Sequence, residues 1–145
     1  MNLLLTILKT VPFFQSLTEE EHLSIIEHIT MQYYPAQHNL FEQGTPGSAL
    51  YIIKSGTVRI YKTQNQEKSE LANLKEGDFF GEMALIESQP RNAGAETVSE
   101  CEIFVLNKED FTALMEKSPE IARKVQEAYL TRKAKNNALH GAQLI

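Results

Sequence analysis

The sequence predicts a mainly β fold with flanking helices: a double-stranded β-helix of the jelly roll or β-roll kind. An N-terminal helical segment precedes it, a short helix interrupts it, and two C-terminal helices follow it. Three observations carry this. From Met31 to Leu106 the chain is a series of short β-rich runs between turn residues. Two of them, Val58–Lys62 and Cys101–Val105, alternate as half-buried antiparallel strands do. On either side the apolar spacing becomes helical. Strands bracketed by helices fit a roll with helices at its ends.

Taken in order, Leu4, Leu5, Leu8 and Val11 share one helical face. Thr18 opens a second helix, with Glu21 completing a capping box and Leu23, Ile26 and Ile29 as its apolar stripe. Strands are expected at Met31–Tyr34, Asn39–Phe41, Leu50–Lys54, Val58–Lys62, Leu71–Lys75, Ala93–Val98 and Cys101–Leu106. Gly44, Gly47, Gly56 and Gly77 fall at the turns between them. Gln64 to Glu70 has no chemical signature and is read as a polar hairpin tip. Asn107 is a favourable N-cap for a helix carrying Phe111, Leu114 and Met115 on one face. Ser118-Pro119-Glu120 starts the last helix, which runs through Ile121, Val125, Tyr129 and Arg132 to about Asn137. Residues from Ala138 to Ile145 are expected to fray. The chain is thus expected to be one domain over 1–145, with the roll at about 31–106 and the C-terminal helices at about 107–138.

A chain of 145 residues is long enough to bury a substantial core, and 42% hydrophobic with 23% charged residues is a globular balance. The single cysteine, Cys101, excludes an intramolecular disulfide and fits a reducing, cytoplasmic setting. A net charge of −5 argues against nucleic acid binding by this chain alone. Leu3 to Leu8 is apolar but too short for a membrane span, and it lacks the flanks of a signal peptide. The basic excess at Arg132, Lys133 and Lys135 is read as a solvated helix face.

The chemistry concentrates at Phe79 to Ala93, FFGEMALIESQPRNA. A glycine followed by a short helix presents backbone N–H groups to an anion. Arg91 adds a planar, permanently charged donor suited to phosphate. Glu82 should repel phosphate, and so makes sense as an acceptor for a sugar hydroxyl. Together these groups read as a ribose-phosphate cassette.

Phe80-Gly81-Glu82-Met83-Ala84-Leu85, then Pro90-Arg91-Asn92-Ala93, resembles the phosphate-binding cassette of cyclic nucleotide-binding domains. The resemblance covers about residues 8 to 130. It implies that Arg91, with the amides of Asn92 and Ala84, holds the cyclic phosphate, and that Glu82 and Gly81 hold the ribose. It implies that Phe80, Met83, Leu74, Ala72 and Ala93 line the base or pocket wall. It also implies a C-terminal helix acting as a lid, with Tyr129 or Arg132 over the purine. The ligand expected is cAMP, with cGMP the alternative, because Asn92 departs from the family's usual Ala, Ser or Thr. Gly94 is a second departure, expected to loosen its strand.

The function so implied is a non-enzymatic sensor that binds its nucleotide without a cofactor and moves its C-terminal helices. A ligand-free interaction domain of the same fold is the alternative, and a degenerate cassette lacking Glu82 or Arg91 would favour it. A metal enzyme on a similar fold would need clustered imidazoles, whereas His22, His28, His38 and His140 are scattered. No helix-turn-helix follows the last helix, so the output is expected to pass to an effector protein or a second copy. Ile121, Val125, Ala128 and Arg132 have the spacing of a homodimer seam. A longer parent protein is the other possibility.

Overall fold

A computed structural model of the chain describes residues 3–87 and 90–138, with residues 132–138 described by their backbone. Helix α1 (Leu3–Leu8) leads into a 3₁₀ turn at Pro12–Phe14 and helix α2 (Glu19–Ile26). Strands β1 (Thr30–Tyr34), β2 (Asn39–Phe41), β3 (Ala49–Ser55), β4 (Val58–Gln64), β5 (Glu67–Leu74) and β6 (Phe79–Phe80) follow. A second 3₁₀ helix, Glu82–Leu85, precedes β7 (Gly94–Thr97), β8 (Cys101–Asn107), α3 (Lys108–Lys117) and α4 (Pro119–Ala138). The strands form two antiparallel sheets, ordered β1-β8-β3-β6 and β2-β7-β4-β5. None of the described helices is long and apolar enough to cross a membrane.

The alternation of β3 and β8 creates two cores. Leu50 and Ile52 face one way, and with Leu106 they join the helical cluster of Leu8, Phe13, Phe14, Ile25, Phe111, Ile121 and Val125. Tyr51, Ile53, Ile103 and Val105 face the other way, into the roll with Ile60, Phe80 and Ala95. Each fully buried aliphatic or Phe side chain contributes roughly 1.5–3 kcal/mol, so both cores are substantial. The capping box holds: Glu21 N–H donates to Thr18 Oγ1 at 3.1 Å and Thr18 N–H donates to Glu21 Oε1 at 2.9 Å. Lys124 Nζ then reaches Glu21 Oε1 at 2.7 Å, tying α4 to the start of α2.

Five expectations are corrected. Residues 67–70 belong to β5 rather than to a loop, because Asn65 (φ 52°) and Gln66 (φ 67°) make a two-residue left-handed turn without glycine. The two-residue β6 was absent from the expected strands and exists through pairing with β3 at Tyr51↔Phe80 and Ile52↔Phe79. Leu23 is 44% exposed, while His22 and Ile25 take the buried face of α2; His22 is held by its Nε2, 2.7 Å from the Phe14 carbonyl oxygen. Asn107 occupies the N-cap position of α3 without a side-chain hydrogen bond. The proposed dimer seam on α4 is partly spent inside the domain, since Ile121 and Val125 are buried in the helical core. The side chains of Arg132 and of residues 133–138 lie outside those described, as do residues 139–145 entirely.

Gly94 also has a packing reason the sequence did not show. A Cβ there would lie 2.4 Å from Tyr61 Cζ, so the glycine makes room for the tyrosine ring. That ring in turn donates its hydroxyl to Asn39 Oδ1 at 3.0 Å.

Candidate functional site

The cassette begins where β6 ends. Gly81 stands at φ +83°, a left-handed conformation that L side chains rarely adopt. A Cβ there would come 2.7 Å from the Ala49 carbonyl oxygen and 2.8 Å from Arg91 Nη1. Gly81 turns the chain into the Glu82–Leu85 helix, all four residues of which are buried. The short cassette helix expected here is a single 3₁₀ turn. Its Ala84 N–H already donates to the Gly81 carbonyl at 3.1 Å, so any donation from Ala84 to a ligand must be shared.

Arg91 is placed from outside the cassette. Its N–H donates to the Thr45 carbonyl at 2.8 Å, and its own carbonyl accepts from Gly44 N–H at 2.9 Å. The side chain is only 9% exposed. Its Nη2 donates to the Ala49 carbonyl at 3.1 Å, and its Cζ sits 4.0 Å from the Phe41 ring centroid. Phe41 belongs to an aromatic platform in which Tyr51 and Phe80 stack with centroids 5.0 Å apart and planes 12° from parallel. Gly47 completes the close fit, since a Cβ there would meet Ala84 Cβ at 2.5 Å and Arg91 Nε at 3.3 Å.

Burial lowers the pKa of Arg91, opposed only by the Tyr51 hydroxyl. The cation is thus held partly desolvated, and among the described residues its Nε has no hydrogen-bond partner. A buried guanidinium with an unused N–H is an arrangement an incoming anion would complete. Glu82, on the same cassette, is 3% exposed with its Oε2 buried.

Beside Arg91 lies a cavity of about 560 Å³. Met83, Ala84, Glu87, Pro90, Arg91, Asn92 and Ala93 line it from the cassette side. Phe41, Gln43, Gly44 and Lys62 close it from the roll. Of the expected site residues, the structure brings Ala84, Met83, Arg91, Asn92 and Ala93 to this cavity. Gly81, Glu82 and Phe80 are buried close by in the chain but are not wall residues, and Ala72 and Leu74 pack half-buried against the roll core. Tyr129 packs edge-on to Phe13 at 6.2 Å and donates its hydroxyl to Glu87 Oε2 at 2.6 Å, so it contacts a wall residue rather than the cavity. Among the described residues no group of three His, Cys, Asp or Glu side chains could hold a metal ion. Phe41, Tyr51 and Lys62 went unrecognised in the sequence because strand pairing brings them to the cassette, and Gln43 because it follows β2 in a turn.

Residues 31–118 match the family model described as the cyclic nucleotide-binding domain. The cyclic AMP receptor protein of Thermus thermophilus is 37% identical over 117 residues, covering 79% of this chain and 54% of the relative. Among solved structures, the N-terminal domain of a transcriptional regulator from Streptomyces coelicolor superposes with a TM-score of 0.81 at 25% identity, covering 92% of this chain and 96% of that one. The regulatory domain of Toxoplasma gondii PKA, crystallised with cAMP, gives a TM-score of 0.71 at 32% identity, covering 77% of this chain and 42% of that one. The chain spans about half the length, or less, of the curated relatives it matches first. Roll topology, cassette geometry and sequence agree on one assignment: this chain belongs to the cyclic nucleotide-binding domain family.

Proposed function

We propose that this domain is a regulatory sensor of a cyclic purine nucleotide, that its ligand is cAMP, and that binding is signalled through α3 and α4. The observation that carries the reading is Arg91: a buried guanidinium with an unused Nε, at the wall of a cavity large enough for one nucleotide. Arg91 takes the exocyclic phosphate oxygens, with the Asn92 and Ala84 amides beside it. Glu82 accepts from the ribose 2′-hydroxyl, with Gly81 allowing the close approach. Met83 and Ala93 form the wall, over Phe80, Ala72 and Leu74, and Tyr129 and Arg132 belong to the lid side. The Thermus and Toxoplasma relatives are both named for cAMP, while cGMP-dependent protein kinases match at 33% and 32% identity, so cGMP is the alternative that the titration below tests.

Coupling to the helices is supported by what the cassette touches. Met83 and Leu85 are buried in the same core as Phe111, Ile121 and Val125. At the cassette's far end, Lys108 Nζ donates to the Glu87 carbonyl at 3.1 Å and Tyr129 donates to the Glu87 carboxylate. A ligand that shifts the cassette would thus act on both helices, and signalling follows if its affinity differs between two helix arrangements. The effector is a partner protein or a second copy, in the cytoplasm.

Calorimetric titration of the full chain with cAMP and with cGMP tests the reading. Micromolar or tighter binding of cAMP at one site per chain is expected, with cGMP weaker. Folded protein, free of co-purified nucleotide, that takes up neither ligand would sink it. Tyr129→Phe tests the coupling. It should keep the Phe13 contact and reduce the cAMP-dependent change in α4 hydrogen exchange; an undiminished change would remove Glu87–Tyr129 from the route.

A further inference from the structure

We propose that Lys62 is a second phosphate-recognition residue, donating from the roll wall to the exocyclic oxygens that Arg91 also holds. The inference rests on the cyclic nucleotide reading above and adds a group from outside the cassette. Pairing of β4 with β7 runs to Tyr61↔Gly94, so Lys62 lies one step further on, beside Asn92 and Ala93. Strand alternation puts Lys62 on the face of Ile60, which is fully buried in the roll. Lys62 is exposed, stands at the end of that apolar row, and lines the cavity with Arg91.

Its surroundings differ from those of the outward cations on the same hairpin. Arg59 and Lys68 both pair with Glu96, at 2.6 and 3.2 Å. Among the described residues the Lys62 ammonium has neither a hydrogen bond nor an ion pair. The rim that carries it is braced, since Thr63 N–H donates to Gln43 Oε1 at 2.8 Å, joining β4 to the segment after β2. Arg91, by contrast, has limited freedom. One nitrogen is committed to Ala49 and one face to Phe41, which leaves a single edge for the ligand. A cyclic phosphodiester has two exocyclic oxygens, each able to accept more than one hydrogen bond, and the mobile point charge of a lysine lining the same cavity can share them with Arg91. Glu87 also lines the cavity, with its carboxylate engaged by Tyr129.

The test is titration of the parent chain, Lys62→Met, Lys62→Arg and Arg91→Ala with cAMP and cGMP, at low and moderate salt. Lys62→Met should weaken both nucleotides by the same factor, about three- to fivefold for a solvent-accessible charge pair. It should also flatten the salt dependence of affinity, and Lys62→Arg should retain both properties. Unchanged affinity in Lys62→Met overturns the proposal. So does a loss confined to cGMP, which would make Lys62 a reader of the base. Failure of the parent to bind overturns the cyclic nucleotide reading itself and this proposal with it, whereas an Arg91→Ala variant that binds like the parent overturns the placement of the phosphate at Arg91 and, with it, this proposal alone.

Discussion

Replacing Arg91 with Met separates a residue kept for the ligand from one kept for the fold. The change removes the charge and preserves an unbranched chain over the Phe41 ring. In the ligand-free domain two effects oppose each other. Lost are the Nη2–Ala49 hydrogen bond and the guanidinium contact with Phe41, together worth about 2–4 kcal/mol before desolvation is counted. Relieved is the cost of holding a cation 9% exposed with an unused Nε, which is also several kcal/mol. The net should lie within about 1 kcal/mol of zero, or about 2–4 °C in melting temperature for a domain of this size. With cAMP the sign is unambiguous. Loss of a charged hydrogen bond costs about 1.5–3 kcal/mol, hence tenfold or more in affinity. At a hundredfold excess over the dissociation constant, cAMP should stabilise the parent by about 2.7 kcal/mol, and the same concentration should stabilise the variant by about half that or less. Thermal unfolding with and without cAMP reads both quantities. A ligand-free loss above about 2 kcal/mol with the cAMP shift intact would make Arg91 a structural residue and refute the reasoning.

Three further outcomes are expected. Glu82→Ala should weaken cAMP more than it weakens 2′-deoxy-cAMP, measured by calorimetry; equal losses would show that Glu82 does not read the 2′-hydroxyl. Gly94→Val should lower the urea midpoint by an amount equivalent to about 1–3 kcal/mol, because the Tyr61 ring occupies the space the new side chain needs. A variant as stable as the parent would show that the ring moves without cost. The hydrogen bonds from Lys124 and from Thr18 N–H hold the Glu21 carboxyl below its ordinary value of 4.5, so its contribution is present above that pH and is lost as pH falls through the lowered value. Glu21→Gln should therefore reduce the loss of stability on acidification below about pH 4.5, and an unchanged pH profile in urea unfolding would contradict it.

The cassette was legible because its groups are contiguous: Gly81, Glu82, Ala84 and Arg91 lie within one short segment, and local spacing carries their geometry. Phe41, Tyr51 and Lys62 were not, because each stands on a strand placed by antiparallel register, which no local pattern encodes. The strands were legible where one face is buried, as in β3 and β8. Glu67–Glu70 was misread because this part of β5 is exposed throughout, so pairing with β4 rather than apolar alternation makes it a strand. The turn that permits this pairing is Asn65-Gln66, without the glycine that would have marked it. On α2 the stripe was displaced by a histidine: His22 is buried because the Phe14 carbonyl satisfies its ring, and hydrophobicity alone could not rank it above Leu23. On α4 the domain itself covers Ile121 and Val125 of the expected seam, since a periodic stripe does not say whether its own domain or another copy covers it.

The two-faced strands β3 and β8 act as a party wall. Even-numbered Leu50, Ile52 and Leu106 belong to the room of the helices, and odd-numbered Tyr51, Ile53, Ile103 and Val105 to the room of the roll. Substitutions on the helical side can re-shape the packing of the helices, while the chamber behind the wall keeps its furnishings. Such a plan lets one reading chamber serve different attachments with changes at every second position of two strands.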